Sequence, residues 1–137
     1  MKLLVDTNIF LDILLKRDNL YEGSKEFFYT AHANRDQTVV NAASLKDIYY
    51  ITMKGLHDKK EAVRVVFKVY NIVSKVIDCS ADDAINAIFE DGDFEDNVLR
   101  QSSLRNMCDA IITRNKKDFH KSDMPCFTPE EYMRIRT

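Results

Sequence analysis

The chain has 137 residues, which suits a single folded unit, and we expect residues 1–137 to form one domain. Hydrophobic residues make up 45% of it and charged residues 31%, an ordinary globular composition that excludes collagen-like and intrinsically disordered chains. The net charge of −2 argues against a surface that attracts nucleic acid everywhere, but it leaves room for a nucleic-acid enzyme with a local basic rim.

Neither a membrane segment nor a metal-binding cysteine motif is expected. No apolar run approaches the roughly 20 residues that a membrane span requires. The first acid, Asp6, comes too early for a signal peptide, so the sequence predicts a cytoplasmic protein with no membrane partner. Cys79, Cys108 and Cys126 are widely spaced and far from any histidine, which predicts buried free thiols rather than a zinc site.

Short apolar runs with few charges predict four buried strands, at residues 2–5, 38–41, 75–77 and 108–113. Longer stretches with apolar residues at helical spacing predict helices between and after these strands. The helices are expected after a cap at Thr7 or Asn8, at 21–34, after a cap at Ser44, at 59–72, at 81–89 after Ser80, at 94–106 and from Pro129. This alternation indicates an α/β fold with a central, mostly parallel sheet of four to five strands and helices on both faces.

Ligands bind at the carboxyl ends of the strands in parallel sheets, so acidic and amide residues near these ends are candidates for the site. Asp6, Asn115 and Asp118 follow predicted strands, Asp47 lies in the helix after the second strand, and Asp93 and Asp96 lie in the first turn of the helix near Phe94. Acids in a first helical turn also stabilise the helix dipole, and Asp47 with Ser44 has the spacing of a short capping box. Asp6 is different, because a lone carboxylate at the end of a buried strand is costly and needs a partner.

Convergence of Asp6, Asp47 and Asp96 would require a cation. Two carboxylates about 5 Å apart repel by roughly 3 kcal/mol at an effective dielectric constant of 20. Oxygen ligands alone select a hard ion, so the expected cofactor is Mg²⁺ or Mn²⁺ rather than zinc. A water on such an ion can serve as the nucleophile in phosphodiester hydrolysis.

Four segments of the chain resemble, in the same order, those of the PIN-domain nucleases, the fold of the VapC-type toxins. They are 3–12 (LLVDTNIFLD), 44–50 (SLKDIYY), 93–97 (DFEDN) and 111–119 (IITRNKKDF). The Asn-x-x-Asp-Phe form of the last segment resembles one sub-branch of the family. The resemblance implies a divalent-metal-dependent ribonuclease that hydrolyses phosphodiester bonds of RNA, with a PIN-like fold and a carboxylate pocket at the strand ends.

The resemblance also implies roles for individual residues. The positions that match catalytic ones are Asp6, Asp47, Asp96 and Asn115. Asp6 and Asp96 would bind the metal directly, and Asp47, one methylene shorter than the glutamate found in many members, directly or through water. Asn115 stands where many toxins carry aspartate, so Asp93 or Asp118 would supply the missing charge.

Other matching residues are expected to support the pocket or to contact the substrate and partners. Pocket-organising polar residues would be Thr7, Asn8 and Thr113, and a basic rim for RNA phosphates would be formed by Arg114, Lys116 and Lys117. Tyr49 and Tyr50 are candidates for stacking on a base, with core packing expected for at least one of them. Family members often pair with a small antitoxin protein and form homodimers. The expected partners are therefore an RNA substrate, an antitoxin protein and a second copy of the chain.

One alternative function stays open. A PIN fold that has lost its nuclease activity would act as a binding module through RNA or protein contacts, a possibility motivated by Asp47 and Asn115. Two other enzyme classes fit poorly. Haloacid-dehalogenase-type phosphotransfer needs an aspartate where Asn8 stands, and a response-regulator receiver needs an acid pair after the first strand and a lysine after the last.

Overall fold

Five parallel strands form one sheet in the computed structural model, which describes residues 1–119 and 123–136. In chain order the strands are β1 (Lys2–Val5), β2 (Gln37–Asn41), β3 (Lys75–Ile77), β4 (Ala110–Ile112) and β5 (Cys126–Phe127). Across the sheet they lie in the order β3-β2-β1-β4-β5. The first strand of the chain is therefore central, and its residue Leu4 pairs with Val39 on one side and Ile111 on the other.

Helices connect the strands and complete the α/β fold that the sequence predicts. The described residues form α1 (Thr7–Leu14), α2 (Tyr21–Ala33), α3 (Ala42–Leu56), α4 (Lys59–Ile72), α5 (Ala81–Ile88), α6 (Phe94–Arg105), α7 (Pro129–Arg136) and a short 3-10 helix, Lys116–Phe119. Within the described ranges, none of the helices combines the length and the apolar character that crossing a bilayer would require.

Both faces of the sheet are covered. Successive side chains of a strand point to opposite faces, and β1 shows this directly. Leu3 packs in a buried cluster with Phe27 of α2 and Ile48 of α3, whereas Leu4 packs in a second cluster with Leu99 of α6. The prediction of helices on both faces of the sheet is therefore confirmed.

Two predicted helix caps are wrong. The cap position of α1 is occupied by Asp6 rather than by Thr7 or Asn8, which already belong to the helix. The cap of α3 is Asn41, whose side-chain oxygen accepts a hydrogen bond from the Ala43 backbone N–H at 2.8 Å. In both places the strand runs directly into the helix, so the last extended residue also serves as the cap.

Because α3 starts earlier than predicted, Ser44 and Asp47 lie further inside the helix than expected. Ser44 is buried inside the first turn, and Asp47 lies in the second turn, beyond the reach of the helix terminus. The capping box proposed for this pair is therefore not formed. The cap predicted at Ser80 is confirmed, because Ser80 and Asp83 exchange two hydrogen bonds at the start of α5.

The C-terminal helix is fixed to the amino end of β2 through Asp36, a buried residue just before that strand. Arg136 donates two hydrogen bonds of 2.8 Å to its carboxylate, the Tyr132 hydroxyl donates one of 2.5 Å, and the Met1 ammonium donates another of 2.5 Å. Burial opposes ionisation of Asp36, but these donors outweigh it and hold its pKa below the usual value. This network lies at the amino ends of the strands, opposite to their carboxyl ends.

Candidate active site

A pocket of about 730 Å³ lies at the carboxyl ends of the parallel strands. Its wall includes residues that lie within three positions of the ends of four strands: Asp6 one residue after β1, Ala43 two after β2, Cys79 two after β3 and Asn115 three after β4. The starts of α3 and α6 complete the wall. Parallel α/β sheets bind ligands at this place, so the topology makes this pocket the candidate site.

Asp6 is a buried carboxylate of the pocket and is only 5% exposed. Its backbone N–H donates to the Ile112 carbonyl at 2.9 Å, which continues the pairing of β1 with β4. The hydroxyl of Thr113 donates a hydrogen bond of 2.8 Å to Asp6 Oδ2 and accepts one of 3.0 Å from the Asn115 backbone N–H. Because Asn115 donates to the hydroxyl oxygen, the single hydroxyl proton is directed toward the carboxylate.

The start of α6 places two further carboxylates on the pocket wall. Asp93 is the cap of this helix, and its Oδ1 accepts a hydrogen bond of 3.1 Å from the Asp96 backbone N–H. Asp96 lies in the first turn, where the positive end of the helix dipole favours a negative charge. The helix terminus therefore fixes the backbone of both acids that the sequence pointed to here.

The second turn of α3 supplies Asp47, which is half-exposed on the pocket wall. The ammonium of the neighbouring Lys46 lies 3.7 Å from Asp47 Oδ1. Lys46 also lines the pocket and is 67% exposed at its side chain. Sequence reasoning missed Lys46, although its position next to Asp47 in the predicted helix was the available signal.

The structure brings most of the predicted site residues to this one pocket. Seven of them line it: Asp6, Thr7, Asn8, Asp47, Asp93, Asp96 and Asn115. An eighth, Thr113, reaches the site through its hydrogen bond to Asp6. The side chain of Asp118 lies outside the described part of the chain.

The oxygen donors suit a hard divalent cation, but they are spread over the pocket wall. Among residues 1–119 and 123–136, no three His, Cys, Asp or Glu side chains form a group that could hold a metal ion. Carboxylates that share a pocket repel one another, and a cation between them removes that repulsion. The donor chemistry therefore fits Mg²⁺ or Mn²⁺, whereas the close convergence of Asp6, Asp47 and Asp96 is not observed.

The predicted basic rim needs correction at Arg114. Its guanidinium donates to Asp12 at 2.7 Å, to both carboxylate oxygens of Glu130 at 3.0 and 3.1 Å, and to the Ser24 hydroxyl at 3.0 Å. These partners occupy the fork that would hold a phosphate, so Arg114 is a structural residue. Lys116 is paired with Glu131 at 2.9 Å, and neither it nor Lys117 is among the residues that line the pocket.

Aromatic residues also line the pocket. Tyr50, one turn after Lys46 on α3, is 63% exposed, and Phe94, the first residue of α6, is 47% exposed. Tyr49 is half-buried, and neither tyrosine belongs to the buried core, so the core packing expected for at least one of them is not found. Phe94 was not singled out by sequence reasoning, because its exposure depends on how α6 meets the sheet.

The three cysteines are free thiols, as predicted, although only Cys108 is fully buried. Burial raises the pKa of Cys79, which lines the pocket, and the nearby charge of Asp83 adds to the effect. Burial raises the pKa of Cys126 to about 11. None of these thiols is therefore a reactive thiolate at neutral pH.

Comparison with known proteins gives one family match. A family model described as "PIN domain" matches residues 2–117. No curated protein sequence matches the chain.

Several solved structures share the fold at low sequence identity. The chain is similar to a toxin–antitoxin complex from Klebsiella pneumoniae, with 20% identity and a TM-score of 0.65 over 92% of this chain and 96% of that one. It is similar to VapBC-1 from nontypeable Haemophilus influenzae, with 14% identity and a TM-score of 0.70 over 95% and 99%. A third similar structure is VapC20 from Mycobacterium tuberculosis, a Sarcin-Ricin loop cleaving toxin, with 12% identity and a TM-score of 0.67 over 88% and 95%.

Proposed function

Because the chain belongs to the PIN domain family, we propose that it is a divalent-metal-dependent ribonuclease and the toxin component of a toxin–antitoxin pair. The observation that carries the proposal is the pocket at the carboxyl ends of the strands, where a buried Asp6 is joined by the acids of α3 and α6. Such a set of oxygen donors is suited to a divalent cation and a phosphate rather than to an apolar ligand.

Asp6 and Asp96 would hold one Mg²⁺ or Mn²⁺, and Asp47 would contribute directly or through a water molecule. The amide oxygen of Asn115 is a further neutral donor, with Asp93 and Asp118 as additional acids of the site. Bound there, a divalent ion supplies Lewis-acid activation of water and offsets negative charge on the phosphate.

The residues of the chain then position the metal-binding acids, accept a proton and supply positive charge. Thr113 holds the Asp6 carboxylate in one orientation through its 2.8 Å hydrogen bond, and Asp93 fixes the first turn that carries Asp96. A carboxylate of the pocket accepts the proton that the attacking water loses. Lys46 contributes positive charge at the edge of a pocket that would otherwise repel RNA.

The proposed partners are an antitoxin protein and a second copy of the chain, and the proposed location is the cytoplasm. Toxin–antitoxin complexes are among the solved structures that share this fold, and we extend that assembly to this chain, with a small antitoxin protein as partner and a homodimer as the further association. RNA in the cytoplasm is the proposed substrate, and residues 1–137 act as one domain.

The test compares the wild type with Asp6→Asn and Asp96→Asn on single-stranded and structured RNA, in Mn²⁺ and in EDTA. We expect metal-dependent cleavage by the wild type and a loss of at least about 100-fold in both variants, since each removes a charged ligand. Asp18→Asn, an exposed acid outside the pocket, is the matched control and should cleave like the wild type. Equal cleavage by all four proteins, or cleavage that survives EDTA, would contradict the proposal.

A catalytically inactive binding module is the second candidate. It is favoured by the spread of the carboxylates, since no three acidic side chains in the described residues form a group that could hold a metal. Direct titration with Mn²⁺ separates the two functions. The nuclease should bind Mn²⁺ and lose that binding in Asp6→Asn, whereas the binding module should show neither.

A further inference from the structure

We propose that Asn41 and Ser102 are positioning residues of the metal site. The hydrogen bond between their side chains sets the separation of the two acid-bearing helices, α3 with Asp47 and α6 with Asp96. Asn41 Nδ2 donates to the Ser102 hydroxyl oxygen at 2.8 Å, and both residues are completely buried. Neither is among the residues that line the pocket. The inference rests on the proposed metal-dependent ribonuclease function and concerns how the site of that function is held.

The two acid-bearing helices belong to opposite faces of the sheet. Ile48 of α3 packs in the buried cluster of Leu3, whereas Leu99 of α6 packs in the cluster of Leu4. Among the other helices, α3 packs mainly against α4, and α6 packs mainly against α5. Packing therefore fixes each helix within its own layer, while their amino-terminal turns face each other across the pocket. A contact that joins the two layers is what fixes their separation.

Asn41 joins the two layers because it is both the last residue of β2 and the cap of α3. Side chains alternate along a strand, so Asn41 points to the same face as Val39, which packs in one cluster with Leu99 of α6. From this position its Oδ1 accepts from the Ala43 N–H at 2.8 Å, while its Nδ2 donates to Ser102. One buried amide therefore holds the start of α3 at one end and α6 at the other.

The hydrogen bonds around this amide allow it only one orientation. The Ser102 hydroxyl donates to the carbonyl of Asp78, just after β3, at 3.0 Å, so its lone pairs are left to accept from Asn41. Turning the amide over would bring its NH2 group against the Ala43 N–H, which is also a donor. A buried chain of hydrogen bonds in which each donor meets an acceptor is rigid. The link therefore holds α6 in one position relative to the β2–α3 junction.

The link is close enough to both acids to control their positions. Asn41 lies six positions before Asp47, and Ser102 lies six positions after Asp96. Six residues of α-helix span only about 9 Å, so a shift of either helix at the link also moves its acid. Mg²⁺ requires oxygen ligands in nearly ideal geometry at about 2.1 Å, so such a shift weakens metal binding although every donor oxygen is still present.

The principal test is calorimetric titration of the RNA-free protein with Mn²⁺ for Ser102→Ala and Asn41→Ser. Ser102→Ala removes the acceptor of the link, whereas Asn41→Ser keeps an oxygen that can cap α3 but is too short to reach α6. We expect each variant to bind Mn²⁺ about tenfold more weakly, the lower end of the effect of losing a residue that orients metal ligands. RNA cleavage should then need about tenfold more Mn²⁺ for half of its maximal rate, with KM for RNA within about twofold of wild type.

The double variant, Asn41→Ser with Ser102→Ala, tests whether the two residues act through their shared hydrogen bond. Either single change already breaks that bond, so the double variant should bind Mn²⁺ within about twofold of the more strongly affected single variant. Losses that multiply to about 100-fold would show two independent effects and would overturn the inference.

Ser103→Ala is the matched control for Ser102→Ala. Ser103 is also completely buried on α6, but its hydroxyl donates to the Arg100 carbonyl of the same helix at 2.7 Å. Both alanine variants should stay folded, because alanine favours a helix, and urea denaturation measures the stability that each one loses. Ser103→Ala should keep the wild-type affinity for Mn²⁺. An equal loss of affinity in both variants would show that the stability of α6, rather than the link, controls the site.

The Mn²⁺ titration also separates failure of this inference from failure of the proposed function. If the wild type binds Mn²⁺ and both Ser102→Ala and Asn41→Ser bind it equally well, the inference is wrong while the proposed nuclease stands. If the wild type binds no Mn²⁺, the proposed function and this inference fall together.

Discussion

Arg114 donates a hydrogen bond from Nε to Oδ2 of Asp12 over 2.7 Å, although the two residues are 102 positions apart in the sequence. Asp12 is completely buried in α1, and the Ser24 hydroxyl of α2 donates to the same carboxylate oxygen at 2.7 Å. The other guanidinium nitrogens are bound by Glu130 of α7. Arg114 therefore joins three helices to the segment that follows β4.

Substitution of Arg114 should destabilise the protein strongly. Arg114→Gln leaves the buried carboxylate of Asp12 with only the more distant and more exposed Arg17 as a cation, and we expect a loss of about 3–5 kcal/mol in the free energy of unfolding. Arg114→Lys keeps the charge but not the planar fork, so its loss should be intermediate. Urea denaturation of the three proteins measures the effect.

Arg17 is the matched control for this prediction. Its guanidinium lies 3.5 Å from the other oxygen of Asp12 but is much more exposed. Arg17→Gln should therefore change the free energy of unfolding by less than about 1 kcal/mol. A similar loss for Arg17→Gln and Arg114→Gln would contradict the assignment of Arg114 as the main partner of Asp12.

Removal of the Thr113 hydroxyl should weaken the site. Thr113→Val preserves the shape of a buried side chain but removes the hydroxyl that donates to Asp6 Oδ2 and accepts from the Asn115 N–H. We expect a loss of about 1–3 kcal/mol in stability and a weaker Mn²⁺ affinity. Thr113→Ser keeps the hydroxyl and should retain both the stability and the Mn²⁺ affinity. If Thr113→Ser loses as much of both as Thr113→Val, packing rather than the hydrogen bond positions Asp6.

The ionisation of Asp36 should make the free energy of unfolding depend on pH below about pH 5. Its pKa in the folded protein lies below the value of about 3.9 expected when unfolded. The stabilisation from its ionised form is therefore complete above pH 5 and is lost as the pH falls through the folded pKa. Urea denaturation from pH 7 to pH 3 measures the difference in the free energy of unfolding between wild type and Asp36→Asn. We expect this difference to be constant near neutral pH and to shrink below pH 4.

Cys126 should react slowly with thiol reagents in the folded protein. Burial raises its pKa to about 11, with a contribution from the charge of Asp6, while the nearby Lys116 acts in the opposite direction. Since only the thiolate reacts, the rate of modification by a disulfide reagent should rise nearly tenfold per pH unit between pH 8.5 and 10, where an ordinary cysteine with a pKa of about 8.5 gains only about twofold in all. In Cys126→Ser the amplitude of the slow reaction should fall by one thiol, and in urea all of the thiols should react fast.

The elements of the fold were predictable wherever local signals agreed. The helix at Lys59–Ile72 and the strand at Lys75–Ile77 were predicted to the residue, because the apolar residues at helical spacing end at Ile72 and a short apolar run follows. The start of α3 was missed because β2 leads into it without a loop. Cys126–Phe127 is a strand of two residues, too short to carry any periodicity.

The site was predictable for residues that follow strands and unpredictable for those placed by packing. Asp6 and Asn115 could be located because parallel strands bring their carboxyl ends together, and Asp96 because it lies in the first turn of a predicted helix. The role of Arg114 could not be read locally, because its partner Asp12 is far away in sequence. Exposure of Phe94 in the pocket depends on the position of the whole of α6, which no pattern in the chain encodes.

Both outer strands of the sheet are short. β3 has three residues and β5 has two, whereas the central β1 and its neighbour β2 have four and five. An edge of two or three residues exposes few backbone N–H and C=O groups with which a strand of another chain could pair. The sheet is thereby protected against edge-to-edge aggregation at high concentration.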